Sequence, residues 1–323
     1  MQLSSGDLLK DLQKWQKMYI LSINALSYSQ NTIELYNRTI NFFIEYMREF
    51  QEEILINNIE HMHFINFLSF LDKKAKLDKT IKNKLNLSKS TKQTYLKGIR
   101  NFFIYISDNN DEGHTYERFF RKLKIADSSR AEEKIRYLSE DKVQKLLIYL
   151  ERLLKKKTYN SYRDSLLIKL LLHSALRISE ALNVTLADIT SDQDDNEILV
   201  IKVLGKGGKI QFARIVKTHI QAELDYFSNT LGIDLDENIF VTKSGKKLLR
   251  ENAYVIVSNH YKRAGFFQTG LHILRHTLAM RLTENDTDIL VIKETLRHSS
   301  YNSTTVYAKA SSKRVSGGLK SLL

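Results

Sequence analysis

The sequence contains no cysteine, no proline and no long apolar run. Without cysteine the protein has no disulfides, no thiolate zinc sites and no cysteine nucleophile. A membrane-spanning helix needs roughly 20 consecutive apolar residues, whereas the longest apolar stretch, 165–173, is interrupted by Lys169. The first residues also lack the charged and apolar blocks of a signal peptide. We therefore expect a cytoplasmic protein that does not span a membrane.

Positive charge is the main feature of the composition. The 323 residues include 50 Lys and Arg against 37 Asp and Glu, which gives a net charge of +13. Such an excess favours a polyanionic partner, with nucleic acid as the first candidate and an acidic membrane surface as the second. Both halves of the chain are basic, so two lobes contacting one long ligand are favoured over a basic tail.

The first 125 residues predict a small helical domain. Apolar residues recur at helical spacing in segments near 7–26, 33–47, 60–73, 90–106 and 115–124. The polar stretch 126–134 has no such period and predicts a linker. We assign residues 1–126 to a helical domain, 127–136 to the linker and 137–323 to a second domain with a C-terminal tail.

The second domain combines helices with a few strands. Residues 197–204 and 209–216 are β-rich and flank the turn Gly205-Lys206-Gly207-Gly208, which predicts a hairpin. Residues 238–242 predict a third strand, and the pattern after 250 is helical. The fold class is therefore mostly α with a small antiparallel β-sheet.

Polar residues that could take part in catalysis are concentrated near the C-terminus. His272 and Arg275 stand three apart and share a helix face. His298 follows an apolar helical run, and Tyr307 comes nine residues later. Arginine and histidine suit an anion, and a nearby tyrosine supplies an oxygen nucleophile. Each residue alone has an ordinary structural explanation, such as a surface salt bridge or a solvated turn.

The ordered set changes this assessment. Ala-Leu-Arg177-Ile-Ser-Glu180, Gly205-Lys206-Gly-Gly-Lys, His272-Ile-Leu-Arg275-His and Leu-Arg-His298 … Thr-Val-Tyr307 resemble the motifs of the tyrosine recombinase (phage integrase) family. The spacings of 26 residues from His272 to His298 and nine to Tyr307 are those of its Xer branch. The resemblance covers 137–310, and the N-terminal helices resemble the family's core-binding (SAM-like) domain. Two departures are Arg297, where the family has glycine before the histidine, and Thr277-Leu278 after the second arginine.

The resemblance implies a site-specific recombinase that forms a 3′-phosphotyrosine intermediate, with an α+β catalytic domain. The chemistry of the residues suits the reaction. Arg177 and Arg275 would clamp the scissile phosphate, Tyr307 would attack it, and His272 would act as the base or hydrogen-bond partner of Tyr307. Lys206 would protonate the 5′ oxygen, His298 would donate a hydrogen bond to the phosphate, and Glu180 would orient these groups from behind. No cofactor, metal or ATP is expected.

The expected partner is a double-stranded DNA recombination site, bound by a homo-oligomer with a dimer per site and a tetramer in the synapse. Lys92, Lys97 and Arg100 on the fourth helix are predicted to lie near the duplex. An accessory recombinase or an activating ATPase is a further possible partner. We expect this protein to be associated with the nucleoid and to be encoded by a bacterium, a phage or a mobile element. It would act in chromosome dimer resolution or in DNA integration. The alternatives are a type IB topoisomerase and a catalytically silent DNA-binding protein of the same fold.

Overall fold

The computed structural model describes residues 1–49, 54–77, 86–121, 123, 125, 136–205, 208–232, 234–268 and 270–297. The chain divides into two compact units, 1–132 and 133–323, which are described separately below. All of the predicted linker except Arg136 lies outside the described residues, so the domain bounds remain a prediction. In the described ranges, every helix is too short or too polar to cross a membrane.

The first unit is helical. Its helices are α1 (Leu8–Ala25), α2 (Gln30–Glu49), α3 (His61–Leu77), α4 (Lys89–Asn109) and α5 (Glu117–Arg121), with a short 3₁₀ helix at Ile56–Asn58. Asp7 and Ser88 cap α1 and α4, since their side chains accept hydrogen bonds from the backbone N–H groups of Lys10 and Thr91. The predicted helical domain is confirmed, with helix ends shifted by a few residues.

Aromatic rings fill the core of this unit. The fully buried ones include Trp15, Phe43, Phe64, Phe67, Phe102, Phe103 and Tyr116. Helices α2 and α4 approach closely at Gly98, where an added Cβ would lie 3.2 Å from the Thr39 hydroxyl oxygen. The glycine therefore allows the two helices to bury their apolar faces against each other.

The second unit surrounds a buried central helix. Its helices are α6 (Glu140–Leu154), α7 (Tyr159–His173), α8 (Ile178–Ala181), α9 (Gln221–Asp225), α10 (Arg250–Arg263), α11 (His272–Glu284) and α12 (Ile289–Thr295). A 3₁₀ turn at Lys217–His219 precedes α9 and a π-helical turn at Tyr226–Thr230 follows it. Helix α7 is buried along most of its length and contacts α6, α9, α10 and α11.

A three-stranded antiparallel sheet has the order β1-β2-β3, with β1 at Ile189–Ser191, β2 at Ile198–Leu204 and β3 at Ile210–Val216. The predicted hairpin is confirmed, with Ile201 opposite Ala213 on the buried face. The predicted strand at 238–242 is wrong: Asn238 and Val241 form only isolated bridges. The segment 238–242 is apolar because it is buried in the core, not because it pairs as a strand. The third strand of the sheet is instead the short, partly polar β1.

Candidate active site

Arg177 stands at the start of the short helix α8 and is held by Glu180. The Glu180 carboxylate accepts a 2.6 Å hydrogen bond from Nη1 of Arg177 and a 2.8 Å bond from its backbone N–H. The Glu180 side chain is only 2% exposed, whereas the Arg177 side chain is 35% exposed. Glu180 therefore fixes the arginine from the protein side and leaves part of it open to solvent.

Arg275 joins two backbone segments. It lies on α11, is 5% exposed, and donates hydrogen bonds from Nη1 to the carbonyl oxygen of Ala175 and from Nη2 to that of Leu296. Ala175 belongs to the loop 174–177, which ends at Arg177. Leu296 follows α12 directly. The buried arginine thus ties the loop before α8 to the end of α12.

Arg297 fills the space between these segments. Its guanidinium donates to a Glu180 oxygen at 2.9 Å and to the Ala175 carbonyl at 3.1 Å. Longer bonds reach the carbonyls of Ser174 at 3.3 Å and Thr295 at 3.4 Å. The sequence indicated only that glycine was missing here, and no pattern predicted that the arginine side chain would turn inward onto Glu180.

Glu180 is ionised in this environment. Burial by itself raises the pKa of a carboxyl group, but the hydrogen bonds from Arg177 and the positive charges of Arg297 and Arg177 outweigh it and lower the pKa of Glu180 below its ordinary value. One carboxylate therefore serves two guanidinium groups. The backbone carbonyl of Arg297 also accepts a 3.4 Å hydrogen bond from Nη2 of Arg177.

His272 lies on the same helix face as Arg275, at the start of α11. Burial and the positive charges of Arg250, Arg275 and Arg177 lower its pKa below the ordinary value. A lowered pKa favours the neutral imidazole near pH 7, and a neutral imidazole can accept a proton. Arg275 lies three residues away on the same helix, and Arg250 lines the same surface pocket as His272, so positive charge surrounds the predicted base.

The structure adds basic residues that the sequence reasoning missed. Arg250, the first residue of α10, lines a surface pocket with Arg136, Tyr254, His272 and His276. Burial, His272 and Arg275 lower the pKa of His276 as well. Arg250 belongs to no ordered pattern in the sequence, so only the fold could reveal its position.

Three predicted catalytic residues, Lys206, His298 and Tyr307, lie outside the described residues. The described ends of the hairpin are closed by a 2.8 Å hydrogen bond from the Gly205 N–H to the Lys209 carbonyl. The roles of these three side chains therefore remain predictions from the sequence.

The predicted DNA-contacting residues belong to the first unit. Lys97 and Arg100 are exposed on one face of α4, beside a pocket lined by Phe120. Lys92 instead forms a 2.5 Å salt bridge with Asp72, and its side chain is 21% exposed. Lys97 and Arg100 therefore have more free charge than Lys92 for a polyanion. Across the part of the chain that the structure describes, no group of three or more His, Asp or Glu residues is arranged to hold a metal ion.

The fold and this site together define a two-unit protein that concentrates arginines beside a neutral histidine, an arrangement suited to a phosphate diester. Residues 136–314 match the model of the phage integrase family, and residues 12–86 match its N-terminal SAM-like domain. The chain belongs to the phage integrase family, the tyrosine recombinases. The predicted family and its helical N-terminal domain are confirmed.

Relatives with Xer names are similar over most of the chain. Tyrosine recombinase XerH of Campylobacter jejuni is 30% identical over 227 residues, which cover 68% of this chain and 62% of that protein. Tyrosine recombinase XerC of Leptospira interrogans is 27% identical over 90% of this chain and 86% of its own length. XerC of Rickettsia africae is 29% identical, with coverage of 94% and 93%.

Solved structures confirm the fold class. XerH bound to a palindromic difH substrate in a post-cleavage complex has a TM-score of 0.78 at 21% identity, covering 98% of both chains. A lambda integrase dimer bound to a COC′ core site has a TM-score of 0.63 at 15% identity, covering 91% of this chain and 94% of that one. At such identities these likenesses concern the fold.

Proposed function

We propose that this protein is a site-specific DNA recombinase that cleaves and rejoins strands through a 3′-phosphotyrosine intermediate. The observation that carries the proposal is the convergence of Arg177 and Arg275 on the same two backbone segments, with His272 under the charge of both. Had the two arginines lain far apart, their charges could not have stabilised one phosphate together.

In the proposed cleavage step the phenolic oxygen of Tyr307 attacks the scissile phosphorus. The new bond joins that oxygen to phosphorus, and the bond from phosphorus to the 5′ oxygen breaks. His272, neutral because its pKa is lowered, accepts the phenol proton. Lys206 donates a proton to the departing 5′ oxygen. Attack by the 5′ hydroxyl of another strand reverses these transfers, so the phosphodiester energy is conserved without ATP.

The arginines stabilise the phosphate as its negative charge increases in the transition state. Arg177 is partly exposed and offers its guanidinium directly. Arg275 is buried and contributes its charge from behind, where screening by solvent is weaker. His298, directly after Arg297, would add a hydrogen bond to a non-bridging oxygen.

Duplex DNA is the proposed partner, and its phosphates account for the positive charge of both halves of the chain. Lys97 and Arg100 of the first unit and Arg250 of the second would bind backbone phosphates. The assembly would be a dimer at each site and a tetramer in the synapse. Lambda integrase, which has a similar fold, forms a dimer on a core site and a tetramer on a Holliday junction. We place the protein in the cytoplasm on the nucleoid.

A suicide substrate tests the chemistry. The DNA site is first selected from random duplexes with Tyr307→Phe, and a nick is then placed beside the cleavage position so that the released fragment diffuses away. The unsubstituted protein should become covalently trapped on this DNA, and Tyr307→Phe should not. Tyr301→Phe is the matched control, because its tyrosine is three residues from His298 rather than nine.

The outcomes separate the alternatives. DNA binding without any covalent complex would favour a silent DNA-binding protein. Covalent trapping and relaxation of supercoils without recombinant products would favour a type IB topoisomerase. Recombinant products between two selected sites would support the recombinase.

A further inference from the structure

Arg297 has a backbone conformation that arginine seldom adopts. Its φ is +50°, in the left-handed region where a side chain costs about 1–2 kcal/mol and glycine costs little. The Nε atom of this arginine is also buried and, within the described residues, has no hydrogen-bond partner. Both features are unfavourable, so the side chain must make compensating interactions elsewhere.

The compensating interactions are concentrated on Glu180 and the loop before α8. The Arg297 side chain is 5% exposed and the Glu180 side chain 2% exposed, with 2.9 Å between Nη2 and Oε2. The Ala175 carbonyl, which also accepts from Arg275, accepts from the same Nη2 at 3.1 Å. Arg297 therefore contacts the carboxylate that holds Arg177 and the carbonyl that holds Arg275.

The contact changes what Glu180 can do to Arg177. Glu180 Oε1 binds Nη1 of Arg177, while Oε2 binds the Arg177 backbone N–H and Arg297. Without Arg297, Oε2 would have room for a second guanidinium nitrogen of Arg177, and a carboxylate facing an arginine in this two-pronged way binds it strongly. The carboxylate charge would then be matched by Arg177 alone, which would leave less of the Arg177 charge for a phosphate.

We propose that Arg297 is a positioning residue for Arg177: it occupies Oε2 of Glu180 and neutralises the carboxylate, so that the Arg177 charge stays available to the scissile phosphate. The role of Arg177 in this inference rests on the proposed function. With Arg297 present, two arginines bond one glutamate, and this group of three side chains keeps one net positive charge for an incoming phosphate anion.

Three variants test the inference. Arg297→Met removes the charge and keeps an apolar stem, Arg297→Gly also removes the backbone strain, and Arg297→Lys restores the charge without the planar fork. Arg281→Met is the matched control, because Arg281 lies on α11 and pairs with Glu140, away from Glu180. Thermal unfolding of each variant shows whether it is folded before activity is measured.

Single-turnover cleavage of the nicked substrate is the first readout. Removing a group that contacts the transition state directly costs about 10²–10³-fold, so losing a positioning residue should cost about tenfold or more. We expect this loss for Arg297→Met and Arg297→Gly, a partial recovery for Arg297→Lys, and a rate within about threefold of the unsubstituted protein for Arg281→Met.

A double-mutant cycle supplies the readout that a general structural role would not change. If Arg297 acts through Arg177, then Arg297→Met should reduce the cleavage rate only slightly in a protein that already carries Arg177→Lys, so the two losses of rate are not additive. Equal losses in both backgrounds would overturn the inference.

The same cycle is measured by DNA affinity in the Tyr307→Phe background, which needs no cleavage. If the Arg297 and Arg177 substitutions have non-additive effects on DNA affinity, but neither the unsubstituted protein nor any variant is trapped covalently, the positioning role stands and the proposed chemistry is overturned. Additivity in affinity as well as in rate would overturn the positioning role while the chemistry stands.

Discussion

Replacement of Glu180 by glutamine tests the charge balance of the site in depth. The variant keeps the shape of the side chain and one hydrogen-bond acceptor, but it leaves the buried Arg297 guanidinium against neutral oxygens only. Breaking a buried ion pair by removing one partner costs about 3–5 kcal/mol, and a retained hydrogen bond returns about 1 kcal/mol. We therefore expect the free energy of unfolding to fall by about 2–4 kcal/mol.

Urea and thermal unfolding measure this loss. For a unit the size of 133–323, each kcal/mol lowers the melting temperature by about 2–4 °C. A loss near 3 kcal/mol therefore corresponds to about 6–12 °C. Glu294→Gln is the matched control, because Glu294 is an exposed residue of α12 and surface changes of this kind stay within about 0.5 kcal/mol.

The pH dependence has a definite sign. The pKa of Glu180 is below its ordinary value in the folded protein. The ionised carboxylate therefore contributes stability above the unfolded pKa of about 4.3, and this contribution is lost as the pH falls through the lower folded pKa. The difference between the unsubstituted protein and Glu180→Gln should be full at pH 7 and should shrink as the pH falls below about 4.

A second substitution decides whether the buried charge is the cause. Adding Arg297→Met to Glu180→Gln removes the unpaired guanidinium, and removing both partners of a buried pair is far less costly than removing one. The double variant should therefore be more stable than Glu180→Gln alone by about 1 kcal/mol or more. A loss below about 0.5 kcal/mol for Glu180→Gln, or simple additivity of the two changes, would refute the reasoning.

Two further predictions concern charge. Arg250→Ala should raise the pKa of His272 because it removes a positive charge, so the acid limb of the pH profile of single-turnover cleavage should move to higher pH. Arg263→Ala, at the far end of α10, is the control and should leave the acid limb in place. Lys97→Ala should weaken DNA binding and reduce its salt dependence by about one counterion, whereas Lys92→Ala should have a smaller effect because that lysine is paired with Asp72. An equal effect of the two lysine variants would contradict the second prediction.

The helices and the hairpin could be read from the sequence because their signals are local. The period of apolar residues identified α1 to α4, and the glycine turn identified β2 and β3. The segment 238–242 gave the same apolar signal as a strand, but Ile239 and Phe240 are buried in the core without a continuous pairing partner. Burial and pairing produce the same local pattern, and only the tertiary structure separates them.

The site was predicted in part for a similar reason. Arg177, His272 and Arg275 were recognised because their order and spacing match a family pattern. The place of Arg250 beside His272 and the inward position of Arg297 depend on how separate segments pack together, and 117 residues separate Arg297 from Glu180. A sequence pattern gives which residue type stands at a position, but not which buried oxygen its side chain reaches.

The partners of the arginines explain how the site can remain positively charged after folding. Arg275 donates hydrogen bonds to the carbonyls of Ala175 and Leu296, and Arg297 bonds the carboxylate of Glu180 and the carbonyl of Ala175. Carbonyl oxygens satisfy guanidinium donors without cancelling their charge. Ala175, like Arg297, has a left-handed backbone, with φ of +51°. The fold therefore accepts a left-handed backbone in both segments that bring carbonyls to the arginines.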